Sequence, residues 1–110
     1  MTKLVNLTPH TINIFNEDGI EVEVLAPSGQ VARVATRMNF EGLAGAVPLF
    51  SATYGEIQGL PSEEEDTLFV VSGMVAAATD RSDVASPGEL VRDENGKPTG
   101  CRGLKVHPGA

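Results

Sequence analysis

Apolar residues recur at every second position over much of the chain, the mark of strands that turn one face inward. Leu4 to Leu7 opens as a short strand, and Pro9 interrupts it by fixing its own φ and holding Thr8 extended. Alternation resumes from Thr11 to Phe15, with Ile12 and Ile14 on one face and Thr11 and Asn13 on the other. Asn16 to Gly19 reads as a hairpin turn, because Asp18-Gly19 supplies the positive φ that a tight turn needs. Ile20, Val22 and Val24 then alternate with Glu21 and Glu23, which predicts a half-buried strand with a wet acidic face.

After the turn at Pro27, Ser28 and Gly29, a strand is expected from Gln30 to Thr36. Arg37 to Gly45 reads as a loop, or as a short helical turn that carries Phe40 and Leu43 inward. Val47 to Tyr54 reads as a strand, with Pro48 at its start or on a sheet edge, and Tyr54 to Pro61 as a tight, bent connection. Leu68 to Val71 is wholly apolar and suits a central, covered strand. Ser72 can cap a short helix from Met74 to Ala78, whose alanines favour helix but whose length requires packing to hold it. A rival reading extends the strand through Val75 with Gly73 as a bulge. Ser86, Pro87 and Gly88 read as a turn. Glu89 to Arg92 and Thr99 to Val106 are expected to be strands joined through Asn95-Gly96, and the tail from His107 to Ala110 is expected to fray. The pattern predicts a mainly β (α+β) single domain over residues 1–110. Its architecture is a compact, twisted antiparallel or mixed sheet, curled into a small barrel or sandwich, with one short helix near 74–78.

Composition narrows this picture. The chain has 110 residues, enough for one modest core, and with no tryptophan and one tyrosine the core must be mostly aliphatic. The net charge of −7 repels phosphate backbones, so no nucleic-acid polymer is expected as a partner. The contiguous acids Glu63 to Asp66 read as a solvated loop or first helical turn. Cys101 is the only cysteine, which fits a reducing compartment. No apolar run is long enough for a signal peptide or a bilayer span. The expected setting is therefore away from membranes, in the cytoplasm.

No catalytic constellation is complete. Cys101 precedes Arg102, but strand neighbours point to opposite faces, so Cys101 reads as a buried structural thiol. Ser72 lacks the glycines of a nucleophile elbow, no metal-ligand spacing is present, and no cofactor motif is found. Polar candidates remain. Asn6, Thr8 and His10 alternate by two and would share a face in an extended stretch, suiting either a polar ligand or the capping of their own loop. Arg81, Arg92 and Arg102 lie in the C-terminal third, where two guanidinium forks on one sheet face would suit a phosphate or carboxylate, and Arg33 could join from a neighbouring strand. Tyr54 and Ser72 complete the set of candidate ligand-binding residues.

Several stretches together resemble an uncharacterised family of small bacteriophage and bacterial proteins: NLTPH at Asn6–His10, PSG at Pro27–Gly29, YGEIQGLP at Tyr54–Pro61, VVSGMVAAA at Val70–Ala78, ELVRDENG at Glu89–Gly96 and CRGL at Cys101–Leu104. The resemblance implies a phage-type role, such as sequestering a nucleotide-like signal. The leading expectation is a non-catalytic binder of a small polar or anionic, nucleotide-like ligand. One alternative is a structural or protein-interaction module acting as a homo-oligomer through open sheet edges. Another is a small enzyme whose site, including His10, Tyr54 and Ser72, is assembled from distant loops.

Overall fold

The computed structural model describes residues 2–107. Along the chain run β1 (Lys3–Asn6), β2 (Ile12–Phe15), β3 (Glu21–Leu25), β4 (Arg33–Ala44), β5 (Val47–Gln58), β6 (Thr67–Val70), α1 (Gly73–Ala77), β7 (Val84–Arg92) and β8 (Pro98–Val106). Six strands form one mixed sheet in the order β1-β6-β7-β8-β2-β3, and β4 pairs only with β5. The β1–β6, β6–β7 and β2–β8 pairs are parallel, while β7–β8 and β2–β3 are antiparallel. The fold is mainly β with one short helix, its twisted mixed sheet nearly closed into a barrel and accompanied by a second, two-stranded sheet.

The central position of β6 follows from its lack of polar side chains beyond Thr67. Successive residues of a strand face opposite sides, so Phe69 and Val70 feed different halves of the core. Phe69 joins Leu7, Ala32, Val71, Val75, Ala76 and Val84 beneath α1. Val70 joins Ile12, Ile14, Leu25 and Cys101 on the other side, where the sheet curls over itself. Each such aliphatic side chain, taken fully out of water, stabilises the fold by about 1.5–3 kcal/mol. Ser72 caps α1 by accepting a hydrogen bond from the Val75 N–H at 3.3 Å, so the helical reading holds over the extended-strand alternative.

The sheet edges β1 and β3 are drawn together by one buried side chain, Asn6. Its amide Nδ2 donates to the carbonyl of Leu25 at the end of β3 (3.0 Å) and to that of His10 (2.8 Å). Its Oδ1 accepts from the Thr8 N–H (2.9 Å) and the Thr8 hydroxyl (2.7 Å). The Asn6 carbonyl accepts from Ser28 N–H, and the next carbonyl, Leu7, accepts from Ala32 N–H at 2.9 Å. Both edges and the chain leading into β4 are thereby tied to the 6–10 turn.

The pair β4–β5, hereafter the arm, is where the structure departs most from the sequence reading. Residues 37–44 are neither loop nor helical turn but strand, because Met38 and Phe40 alternate with Arg37, Asn39 and Glu41 and find β5 opposite them. A bulge between Phe40 and Gly42, with Gly42 at φ +123°, obscures that alternation in the sequence. The tip is a two-residue loop in which Gly45 takes φ +64° and Ala46 does not need a positive φ, as in a type II′ turn. Beyond Tyr54 the chain does not bend away but stays in β5 to Gln58, and the turn begins at Gly59 (φ +84°), where the Val31 carbonyl leaves no space for a side chain. The arm lengthens the molecule: the radius of gyration is 16.7 Å, against about 13 Å for a compact chain of this length.

Three smaller corrections apply. The strand after Gly29 starts at Arg33 rather than Gln30. Residues Ser86 to Gly88 are not a turn but lie within β7, where Pro87 opposes Leu104; β6 has ended by that point, so the missing proline N–H removes nothing from the ladder. The β3 strand is not half-buried, since Val22 and Val24 are 55% and 48% exposed and only Leu25 is covered. β3 is an edge strand, and among the described residues nothing lies over its apolar row. His107 is held, with its imidazole Nε2 donating to the Ala76 carbonyl at 2.9 Å; the remainder of the expected fraying tail, residues 108–110, lies outside the described residues.

Replacing Asn6 by alanine strands the buried Leu25 carbonyl, loosens the tie to the His10 carbonyl and removes the acceptor for Thr8. Asn6→Ala is expected to lower the unfolding free energy by about 2–4 kcal/mol, read as a shift of the urea midpoint at constant slope.

Candidate functional site

Two regions hold chemistry or surface that the core does not use. The first lies around the 8–10 turn. A cleft of about 290 Å³ is lined by Thr8, Pro9, Arg33, Ser72 and Met74 among others. A second hollow of about 520 Å³ adjoins it through Thr8, Pro9 and Ser72 and reaches His10 and Pro87. Four of the predicted site residues, Thr8, His10, Arg33 and Ser72, therefore gather around these hollows, with Asn6 directly beneath.

The polar atoms there are mostly engaged. The Thr8 hydroxyl donates to Asn6 Oδ1, the Asn6 amide is spent on two carbonyls, and Ser72 Oγ accepts from the helix. His10 and Arg33 are exposed. Both hollows expose more apolar than polar lining, and α1, with five residues, has too little length to present an anion site.

The other predicted residues are elsewhere. Tyr54 stands at the base of the arm, where it borders a separate cleft of about 280 Å³ with Met74, Ala77 and Ala78. The C-terminal arginines are not brought together: Arg92 opposes Pro98 and donates to the Gly96 carbonyl at 2.7 Å, while Arg102 opposes Glu89, 3.9 Å from its carboxylate. Arg81 is clamped to Asp83 through Nε (2.9 Å) and Nη2 (2.5 Å), and its Nη1 donates to the Pro61 carbonyl. The hydrogen bonds between them raise the Arg81 pKa and hold the Asp83 carboxyl below its usual range. This bidentate fork pins the 61–66 loop to the start of β7. Among the described residues, no cluster of histidine, cysteine and carboxylate side chains could hold a metal ion, and no helix is long and apolar enough to cross a membrane.

The second region is the arm. Residues directly opposed across an antiparallel pair share a face. One face carries Asn39 against Ser51 and Arg37 against Thr53, bonded further through Asn39 Nδ2 to Thr53 Oγ1 (2.7 Å) and Ser51 Oγ to Glu41 Oε1 (2.8 Å). The opposite face carries Thr36 with Tyr54, Met38 with Ala52, Phe40 with Phe50, and Leu43 with Pro48. Phe40 and Phe50 meet edge to face with centroids 5.8 Å apart. This face begins inside the core, where Val34 and Ile57 pack beneath α1. It then runs past the end of the body: Met38 is 61% exposed, Phe40 62% and Phe50 54%. Nine residues from Thr36 to Ala44, at about 3.3 Å each, give a projection of roughly 30 Å. Met74 of α1, also exposed, extends the apolar strip back onto the body.

Sequence reasoning missed this surface. The signal was present in the period-two run Thr36, Met38, Phe40 and its mirror Phe50, Ala52, Tyr54, each offset against polar neighbours. No known protein family, curated protein or solved structure matches the chain, so a functional reading rests on this geometry.

The Arg81–Asp83 fork sets a pH dependence. Because the carboxyl is held low in the folded state, its stabilisation is complete above the ordinary aspartate range and is lost as pH falls through the lowered value. Asp83→Asn is expected to lower the urea midpoint at pH 7, and the gap from wild type is expected to close in acid.

Proposed function

We propose that the protein is a non-catalytic structural module that acts by assembling with copies of itself, using the apolar face of the arm as its contact surface. The observation that supports this most is the uncovered row of Met38, Phe40, Leu43, Phe50 and Tyr54 on one face of a two-stranded ribbon, whose reverse face is polar from Arg37 to Glu41 and from Ser51 to Thr53 and carries exposed Val47 and Leu49 only near the tip. A two-stranded ribbon gains little stability alone in water and needs a layer against its apolar side. Contiguous apolar surface of this extent on a small protein marks a contact site. The base of the arm has such a layer in the body; the outer part does not.

A second reading keeps a small anionic ligand, nucleotide-like in charge, at the cleft beside the 8–10 turn. It is favoured by Arg33, which borders that cleft and takes part in none of the ion pairs among the described residues. Nucleotides, cyclic dinucleotides or sugar phosphates would then raise the melting temperature, and Arg33→Ala would abolish the shift; a flat response across all three removes this reading.

For the assembly reading, light scattering after size exclusion at micromolar concentration is expected to give a mass above one chain. Phe40→Asp is expected to weaken association by at least about 30-fold, the effect of removing a central aromatic anchor worth some 2 kcal/mol, with the circular dichroism spectrum unchanged. A wild-type protein that stays monomeric at hundreds of micromolar overturns the proposal.

A further inference from the structure

Resting on that assembly reading, we infer that the arm is met by the arm of a single second copy. The two lie antiparallel about a two-fold axis, and the tip of each seats in the cleft between Tyr54 and α1 of the other. Four observations converge on this arrangement.

The first is self-complementarity. The exposed run from Thr36 to Leu43 and from Pro48 to Tyr54 has every charged side chain on the reverse face, so two copies of the apolar face meet without a buried charge. The second is the distribution of charge. Within the arm Arg33 and Arg37 balance Glu41 and Glu56, so the net charge of −7 lies entirely on the rest of the chain. Antiparallel arms keep the two acidic bodies at opposite ends, whereas contact through the uncovered β3 row would bring the two bodies that carry the whole net charge directly together.

The third is fit along the strip. From base to tip the face reads Thr36/Tyr54, Met38/Ala52, Phe40/Phe50, Leu43/Pro48. Placing a tip level with the partner's base puts the two-fold axis between the second and third of these levels. Each aromatic pair then faces the partner's Met38/Ala52 level, where the small Ala52 leaves a notch for a ring; large opposite small is how layers interdigitate. The same register carries Leu43, 64% exposed at the tip, to the cleft of about 280 Å³ formed by Tyr54, Met74, Ala77 and Ala78. That cleft is mostly apolar and open, and is large enough for one leucine side chain.

The fourth is area. Covering Met38, Phe40, Leu43, Phe50, Tyr54 and Met74 hides on the order of 600 Å² per copy at side-chain areas typical of aromatics and their peers. A standard stable interface hides roughly 800 Å² per partner. The strip alone thus approaches what a stable pair needs, and the tip in the cleft adds to it.

Site-directed cross-linking of the full chain tests the geometry, because the sole native cysteine, Cys101, is buried. A short bismaleimide is expected to join Ala52→Cys to itself across the axis. An equimolar mixture of Leu43→Cys and Ala78→Cys chains is expected to yield a mixed cross-linked pair, while neither variant alone does so and the wild type stays unlinked. The mass in solution is expected to be that of two chains. Self-linking of Leu43→Cys would indicate parallel arms, and linking of Leu43→Cys to Val22→Cys would seat the arm on β3; either result overturns the antiparallel pair. An assembly of three or more chains that Phe40→Asp still dissolves also overturns it while leaving the assembly reading intact. A monomeric wild type overturns both.

Discussion

The buried carboxamide of Asn6 fixes the geometry on which the rest of the molecule depends. β1 and β3 are not neighbours in the hydrogen-bonded ladder, yet the amide reaches the last carbonyl of β3 and closes the sheet towards a barrel. A buried amide offers four hydrogen-bonding positions. Here both donor positions go to carbonyls, one of them the buried Leu25 carbonyl at the end of β3, and the oxygen takes two donors from Thr8. No apolar residue could do this, and a hydroxyl would span one gap at most. The same turn binds Ser28 and Ala32 through the backbone, so where β3 ends and where the arm departs are set together.

That anchoring explains how much of the fold was legible. Where one face of a strand is covered, period-two patterning reads directly: Ile12 and Ile14 against Asn13, the Asp18-Gly19 turn, the apolar Leu68–Val71 run and the Ser72-capped helix all lie where the pattern puts them. The reading fails where burial and pattern part company. Val22 and Val24 alternate perfectly but sit on an edge with nothing above them. Met38, Phe40, Phe50 and Tyr54 alternate too, but Glu41 is an extra residue before Gly42 and Pro48 interrupts the run, so the register slips within the segment that carries the signal. Pattern states which face is apolar; it does not state whether the chain itself supplies the cover.

The candidate ligand residues illustrate a related limit. The period of two correctly sets Asn6 and Thr8 on one side, but hydrogen-bonding capacity is finite, and the loop consumes it. Arg92 and Arg102 flank one turn in sequence, yet the antiparallel register sets them opposite Pro98 and Glu89, and each has its own partner there, the Gly96 carbonyl for Arg92 and the Glu89 carboxylate for Arg102. Arg81 is spent on Asp83 and Pro61. Of the arginines considered, Arg33 alone combines a place beside a hollow with freedom from an ion pair among the described residues. Cys101 behaves as strand geometry requires, inward in the core while Arg102 faces out.

Magnitudes then separate the two surfaces. About 600 Å² of arm surface per copy, at roughly 25 cal/mol per Å², represents a gross gain near 15 kcal/mol for each chain when covered. Association costs roughly 4–15 kcal/mol in lost freedom for the pair, and ordering side chains adds to that. Part of the gain is also forfeited because rings and methionines on a free arm already shield one another, as Phe40 and Phe50 do. Even halved, the gain from two chains is of the same order as that cost, so the proposed pairing needs no bonded polar contact as its main source of free energy. The cleft by the 8–10 turn has no comparable source of free energy: its hydroxyls are satisfied, its lining is open, and one exposed guanidinium offers little in water. The arm is therefore the surface with the larger apolar area to cover, and its neutrality keeps the acidic bodies out of the proposed contact itself.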